Sequence, residues 1–252
     1  MIRTVLAALL WPGLALAGAL DHSCETARFV GPTDRYAHCV LGDCLEWSGL
    51  EVTVTVPARL GAQATVPLTV GLSLPETRVF EDLAPRCAPM GPNGEIWVIV
   101  VESAQGAGAQ LAAYTLDQDA QGLRLIKIAE TPHIGRQNRW LAPAGIADFD
   151  GDGQLDVAFV DRPHLARTLR VVTPRNGRFV QIAAAPGHSN HRIGEDFISG
   201  GVRDCGTGPE VITANASWSQ VLATALDGQT LISRPLGPFT GPESLKAART
   251  CP

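Results

Sequence analysis

The 252-residue chain predicts an all-β fold and, within that class, a small β-propeller of four or five blades. Three observations carry this expectation. After residue 30 the apolar runs are short and β-branched (EVTVTVP, TVPLTVGLSL, EIWVIVVE, LDVAFVD, TLRVVTP), and Gly, Pro, Asn or Asp divide them, which is how strands and turns read in a sequence. No convincing amphipathic helical stretch lies between them, the best helical candidate being the short ESLKAAR near the end. The strands also recur as a longer unit: Glu51, Trp97, Asp156 and Glu210 fall in register at intervals of about 45 to 60 residues, a length that suits one four-stranded blade. Unrelated short strands in a β-sandwich are the alternative arrangement.

The chain opens with MIRTVLAALLWPGLALAGAL, one positive charge followed by an apolar stretch and then small residues. This is the pattern of a secretory signal peptide over residues 1–17, with Ala15 and Ala17 in the small-x-small positions; Ala17 and Ala19 fit almost as well. The apolar stretch falls short of the ~20 residues a membrane span needs, so a soluble exported protein without a span after cleavage is expected, periplasmic or extracellular. Residues 21–252 are expected to form a single domain.

All six cysteines (Cys24, Cys39, Cys44, Cys87, Cys205 and Cys251) follow the leader, where export permits disulfides. Their even number favours up to three bridges, with the pairing left open by the spacing, and no C-x-x-C pair suggests zinc or a redox dithiol. The formal net charge of −5 becomes −6 once Arg3 leaves with the leader, and no basic patch emerges to hold phosphates. Nucleic acid is therefore not an expected partner.

The first copy of the repeat, RYAHCVLGDCLEWSGLEVTVTV followed by TVPLTVGLSLP, is the loosest. The second runs DLAPRCAPMGPNGEIWVIVVE, then QLAAYTLD, a DAQG turn and LRLIKIAETP. The third matches it element by element: LAPAGIADFDGDGQLDVAFVD, TLRVVTP, an RNG turn and RFVQIAAAP. The fourth runs DFISGGVRDCGTGPEVITANA, then QVLATALDGQTLISRP with Asp227-Gly228 as its hairpin turn. The N-terminal ETARFV segment is expected to complete the last blade and close the ring.

Within the third copy, ADFDGDGQLDVAFV places Asp148, Asp150, Asp152 and Asp156 at loop positions 1, 3, 5 and 9, with Gly153 at the sharp bend. A hard cation such as calcium takes several oxygen ligands at once, and a chain curling round it turns alternate side chains inward. The bend frees the carbonyl of Gln154 to point the same way. Four carboxylates this close repel one another without a cation. An EF-hand would need a bidentate Glu at position 12 between two helices, but that position is Phe159 in an apolar strand.

The loop, passing straight from Asp156 into VAFV, resembles the calcium-binding hairpin loops of FG-GAP/VCBS repeat proteins, the repeats of integrin α-subunit propellers. The resemblance is specific over residues 146–160 and extends more weakly through the repeat spacing. It implies a propeller with calcium in a strand-connecting loop, held by Asp148, Asp150, Asp152, the Gln154 carbonyl and Asp156. The other copies depart from the pattern: the second has Pro89, Gly91, Asn93 and Trp97 at the aspartate positions, and the fourth keeps only Asp204 and Glu210. One calcium site is expected, with a structural role.

A second polar constellation is the link GHSNHRIGED, with His188, Asn190, His191 and Arg192 as candidate ligand-binding residues and Glu195 and Asp196 behind them. Links between blades can line a propeller's channel. They also commonly use His and Asn to satisfy backbone groups, and the sister link HIGRQNRW has the same polar character. No G-x-S-x-G, H-E-x-x-H or phosphate-binding loop is present. The expectation is a monomeric, non-catalytic exported repeat protein that presents loops to a protein or glycan. The alternative is a secreted calcium-dependent hydrolase using residues 188–196.

Overall fold

The structure is a computed structural model that describes residues 18–20, 26–58, 63–120 and 122–251. The leader expected over residues 1–17 lies outside the described residues. The fold is all-β with one short helix, and its strands build a series of antiparallel meanders.

Strand β1 (Gly18–Leu20) is followed by an irregular first unit: β2 (Ala27–Thr33), β3 (Glu46–Pro57), β4 (Thr65–Ser73) and β5 (Arg78–Phe80). Three regular four-stranded meanders come next. The second unit is β6 (Arg86–Pro89), β7 (Ile96–Ala104), β8 (Gly108–Asp119) and β9 (Gly122–Glu130). The third is β10 (Leu141–Ala147), β11 (Asp156–Asp161), β12 (Thr168–Arg175) and β13 (Arg178–Pro186). A two-residue strand, β14 (His188–Ser189), leads to the fourth: β15 (Gly201–Asp204), β16 (Pro209–Asn215), β17 (Gln220–Asp227) and β18 (Thr230–Pro238). Helix α1 (Pro242–Ala248) is the last described element and covers most of ESLKAAR, the best helical candidate in the sequence.

The second strand of each regular unit is buried on both faces, and period-two alternation divides its side chains between two cores. Along β11, Val157 and Phe159 join a cluster with Ile99, Leu111 and Phe179, while Ala158 and Val160 join one with Val202, Val211 and Leu231. Along β7, Ile99 and Val101 face the third unit, and Val98 and Val100 pack with Phe29, Leu50 and Phe80 of the first. The sheets are thus stacked in chain order with a core between each pair, which is why VAFV and IWVIVV are continuously apolar. Close approach is enforced at Gly145, where a Cβ would lie 2.4 Å from Val202 Cγ2.

The strand pairing does not close a ring. The fourth unit lies in an open six-stranded sheet with β1 and β14, and its far face is covered by α1 through the fully buried Leu245, packed with Ile212, Ala214 and Val221. The N-terminal segment also sits elsewhere than expected. β2 pairs with β3 of the first unit (Phe29 opposite Leu50), and it is β1 that extends the last sheet, with Ala19 opposite Arg203. The physical reason is a contact distant in sequence: Phe29 stacks on Phe80 with ring centroids 5.3 Å apart, so burying that face holds the strand in the first unit. Residues 35–45, with which the first copy of the repeat opens, form a loop held by the Cys39–Cys44 disulfide.

Cys205–Cys251 ties the end of α1 to the β15–β16 turn, and Cys87 is also disulfide-bonded. No described helix is long and apolar enough to cross a membrane.

Candidate metal centre

The ladder between β10 and β11 closes at Ala147 opposite Asp156, so residues 148–155 must reverse the chain within one loop. Gly151 and Gly153 make the reversal possible, with φ of 74° and 89° in the left-handed region that suits glycine. The loop then folds its own amides onto its carboxylates. Gly151 N–H donates to Asp148 Oδ1 (2.8 Å) and Gly153 N–H to Asp148 Oδ2 (2.9 Å). Asp152 N–H donates to Asp150 Oδ1 (3.2 Å) and Gln154 N–H to Asp152 Oδ1 (2.8 Å).

Carboxylate oxygens of Asp148, Asp150 and Asp156 lie within 4.8 Å of one another. Two ligands of one calcium ion, each at about 2.4 Å, can be no further apart than about this. Asp156 is fully buried: its Oδ2 accepts the Phe149 N–H at 3.1 Å, and its Oδ1 has no hydrogen-bond partner. Burial above all, with the charges of Asp150 and Asp152, pushes its carboxyl up to about 6; the Phe149 amide and the Thr173 hydroxyl, near it without full hydrogen-bond geometry, pull the other way. A buried carboxylate with a free oxygen beside two further carboxylates is a donor set of hard oxygens, and it fits a hard divalent cation. Of the expected ligands, the structure brings together Asp148, Asp150 and Asp156. Asp152 and Gln154 occupy the same loop, but the Asp152 carboxylate lies outside the three-oxygen cluster and accepts the Gln154 amide.

The sister loops occupy the same place in their units and close differently. Between β6 and β7, Glu95 accepts both the backbone N–H and the side-chain amide of Asn93 (2.9 and 2.8 Å). Between β15 and β16, Asp204 Oδ1 accepts the amides of Gly206 and Gly208 (2.8 and 3.2 Å). In each, a single carboxylate accepts N–H groups of its own loop.

The link after β13 is packed inside. His188 is buried with Nδ1 2.9 Å from Thr213 Oγ1 and Nε2 3.3 Å from Ser233 Oγ, and burial lowers its pKa to about 4. Asn190 Nδ2 donates to the carbonyls of Ala142 and Pro143 (3.2 and 3.3 Å), at the bulge of β10. His191 Nε2 meets the Glu195 carbonyl at 2.9 Å and must donate there, so in the neutral ring Nδ1 accepts from His164 Nε2–H at 3.0 Å. Burial, with the neighbouring His191, lowers His164 to about 4. Arg192 is the exposed member, with its guanidinium 4.4 Å from the Trp218 ring centroid. Three of the four candidate residues are thus spent on joining the third unit to the fourth.

Glu81 and Glu102 are among the buried polar groups that went unread in the sequence. Glu81 meets His38 Nδ1 through Oε1 and accepts from Ser103 Oγ through Oε2, while its backbone carbonyl accepts the Trp140 indole N–H at 2.7 Å. Glu102, fully buried, accepts from Lys127 Nζ (2.8 Å), Arg78 and the Tyr114 hydroxyl. Neither has a local signal, because the partners come from other strands and loops.

No family model matches the chain, and no curated protein matches it significantly.

Proposed function

We propose that the chain is an exported, calcium-stabilised repeat domain whose units stack as propeller blades, presenting loops to a protein or glycan and performing no catalysis itself. The observation that carries the calcium reading is the trio of carboxylates on Asp148, Asp150 and Asp156, with Asp156 Oδ1 buried and partnerless. Calcium would supply charge neutralisation there. Asp156 would anchor it to the fully buried β11, and Asp148 and Asp150 would hold it from the loop. A cation that binds the folded chain and not the unfolded one adds to stability by mass action.

Export is supported by the described disulfides. Blade-like stacking is supported by the three regular meanders and the shared cores between them. Partner binding through loops is supported by apolar side chains left in water on them, Ile193 at 72% exposure and Leu165 at 61%. The hydrolase alternative draws less support, since His188 and His191 are buried and already hydrogen-bonded.

Isothermal titration of the chelator-stripped protein with calcium tests this reading. One ion per chain with a dissociation constant of roughly micromolar to millimolar is expected; absence of saturable binding overturns it.

A further inference from the structure

A cavity of about 220 Å³ lies where the first strands of the second, third and fourth units converge, and its wall carries a positive charge, that of Arg249, without a partner among the described residues. Its walls come from the stretch before β6, the bulge of β10, residues 198–201 and Arg249 beyond α1. Two arginines reach it. Arg86 is neutralised by Asp82 at 2.6 Å, whereas the Arg249 guanidinium has no ion-pair or hydrogen-bond partner among the described residues, and its Nε is buried without an acceptor.

Ser199 lines the same cavity. Ser199 is 6% exposed, its Oγ has no partner, and its backbone is fixed by the Asn190 carbonyl at 2.8 Å. Gly201 makes room for the arginine, since a Cβ there would lie 2.7 Å from Arg249 Nε. The Cys205–Cys251 disulfide and the Arg203 bond to the Ala248 carbonyl (2.7 Å) hold the segment in place. Ile146, Ile198 and Pro143 give the rest of the wall an apolar character.

We propose that this cavity is a binding site for a small organic carboxylate, with the Arg249 guanidinium pairing the acid group, the Ser199 hydroxyl donating to it, and Ile146 and Ile198 covering a short aliphatic body. Water could satisfy the hydroxyl and the N–H but would not supply the counter-charge, and a planar guanidinium fork matches a carboxylate. The apolar wall favours an organic acid over a fully hydrated inorganic anion. The proposal is independent of the calcium site.

The test is saturation-transfer NMR and calorimetric titration of the full chain with butyrate at constant ionic strength, with butyramide and inorganic phosphate as comparators. Saturable butyrate binding is expected, at least about tenfold weaker for butyramide and for Arg249→Gln, and several-fold weaker for Ser199→Ala. Arg28→Gln, at an exposed ion pair on β2, leaves it unchanged. If Arg249→Gln fails to fold by circular dichroism, Ser199→Ala and the butyramide comparison on the unaltered chain carry the result. No saturable butyrate binding, equal binding of butyramide, or tighter binding of phosphate would overturn the proposal.

Discussion

The Phe149 amide donates to Asp156 Oδ2 at 3.1 Å across seven residues of chain, and this bond sets the state of the loop between β10 and β11. It fixes one oxygen of a fully buried carboxylate and leaves the other without a partner, beside Asp148 and Asp150. Without a cation that arrangement is costly, because a buried charge lacks solvent and faces like charges. Phe149 is itself buried in the core between the third and fourth units, so the loop is coupled to the packing of both sheets.

Asp150 and Asp152 separate by geometry. Asp150 belongs to the three-oxygen cluster and Asp152 does not. Calorimetry is expected to show Asp150→Ala weakening calcium binding about tenfold or more, with a clearly smaller loss for Asp152→Ala. Equal losses would place Asp152 in the ligand set as the sequence pattern implies.

Acid should unfold the protein through its buried histidines. His164 and His188 titrate near 4 in the folded chain and near 6.5 when unfolded, so the unfolded state binds more protons between these values. Their contribution is complete above about pH 6.5 and is lost as pH falls toward 4. Urea unfolding at pH 5 to 6 is expected to take up roughly two protons from these groups, and His188→Gln removes about one. An unchanged pH dependence in that variant would show that His188 is not held neutral.

The link between the third and fourth units acts as a buttress. Asn190→Ala leaves the Ala142 and Pro143 carbonyls without their side-chain donor and is expected to cost about 1–3 kcal/mol in urea unfolding. Arg192→Ala, which removes an exposed cation–π contact, should cost only about 0.5–1 kcal/mol. The reverse order would contradict a structural role for Asn190.

The two described disulfides close loops of very different length, with sequence separations of 46 for Cys205–Cys251 and 5 for Cys39–Cys44. Chain entropy then favours the longer one, at up to about 4 kcal/mol against about 2. Paired Cys→Ser replacements compared by urea unfolding check the order. The Cys205/Cys251 pair should be the more damaging, since it also frees the segment that carries Leu245 into the core.

Much of the architecture was legible because it is written locally. The apolar run in LDVAFVD, the Asp227-Gly228 turn and the register of Trp97, Asp156 and Glu210 each depend on neighbours a few residues away, and each falls on the second strand or hairpin expected. Closure of the ring was not legible. Whether Phe29 serves the first or the last sheet depends on its stacking with Phe80, more than 50 residues on, and whether the last sheet meets the first depends on where Leu245 packs. The polar link shows the same limit. GHSNHRIGED has the composition of an exposed loop, and only the carbonyls at 142, 143 and 195, the His164 ring and the Thr213 hydroxyl show that its histidines and Asn190 are spoken for.

The central claim is that the loop at residues 148–156 is a calcium clamp on the fold, and the most direct measurement is the thermal midpoint in chelator and in excess calcium, for the unaltered chain and for Asp156→Asn. The unaltered chain is expected to rise by several degrees with calcium. Asp156→Asn, which keeps the shape but removes the buried charge, should lose that rise while unfolding no earlier than the unaltered chain in chelator. Identical midpoints with and without calcium in the unaltered chain, or an undiminished rise in Asp156→Asn, would contradict the account.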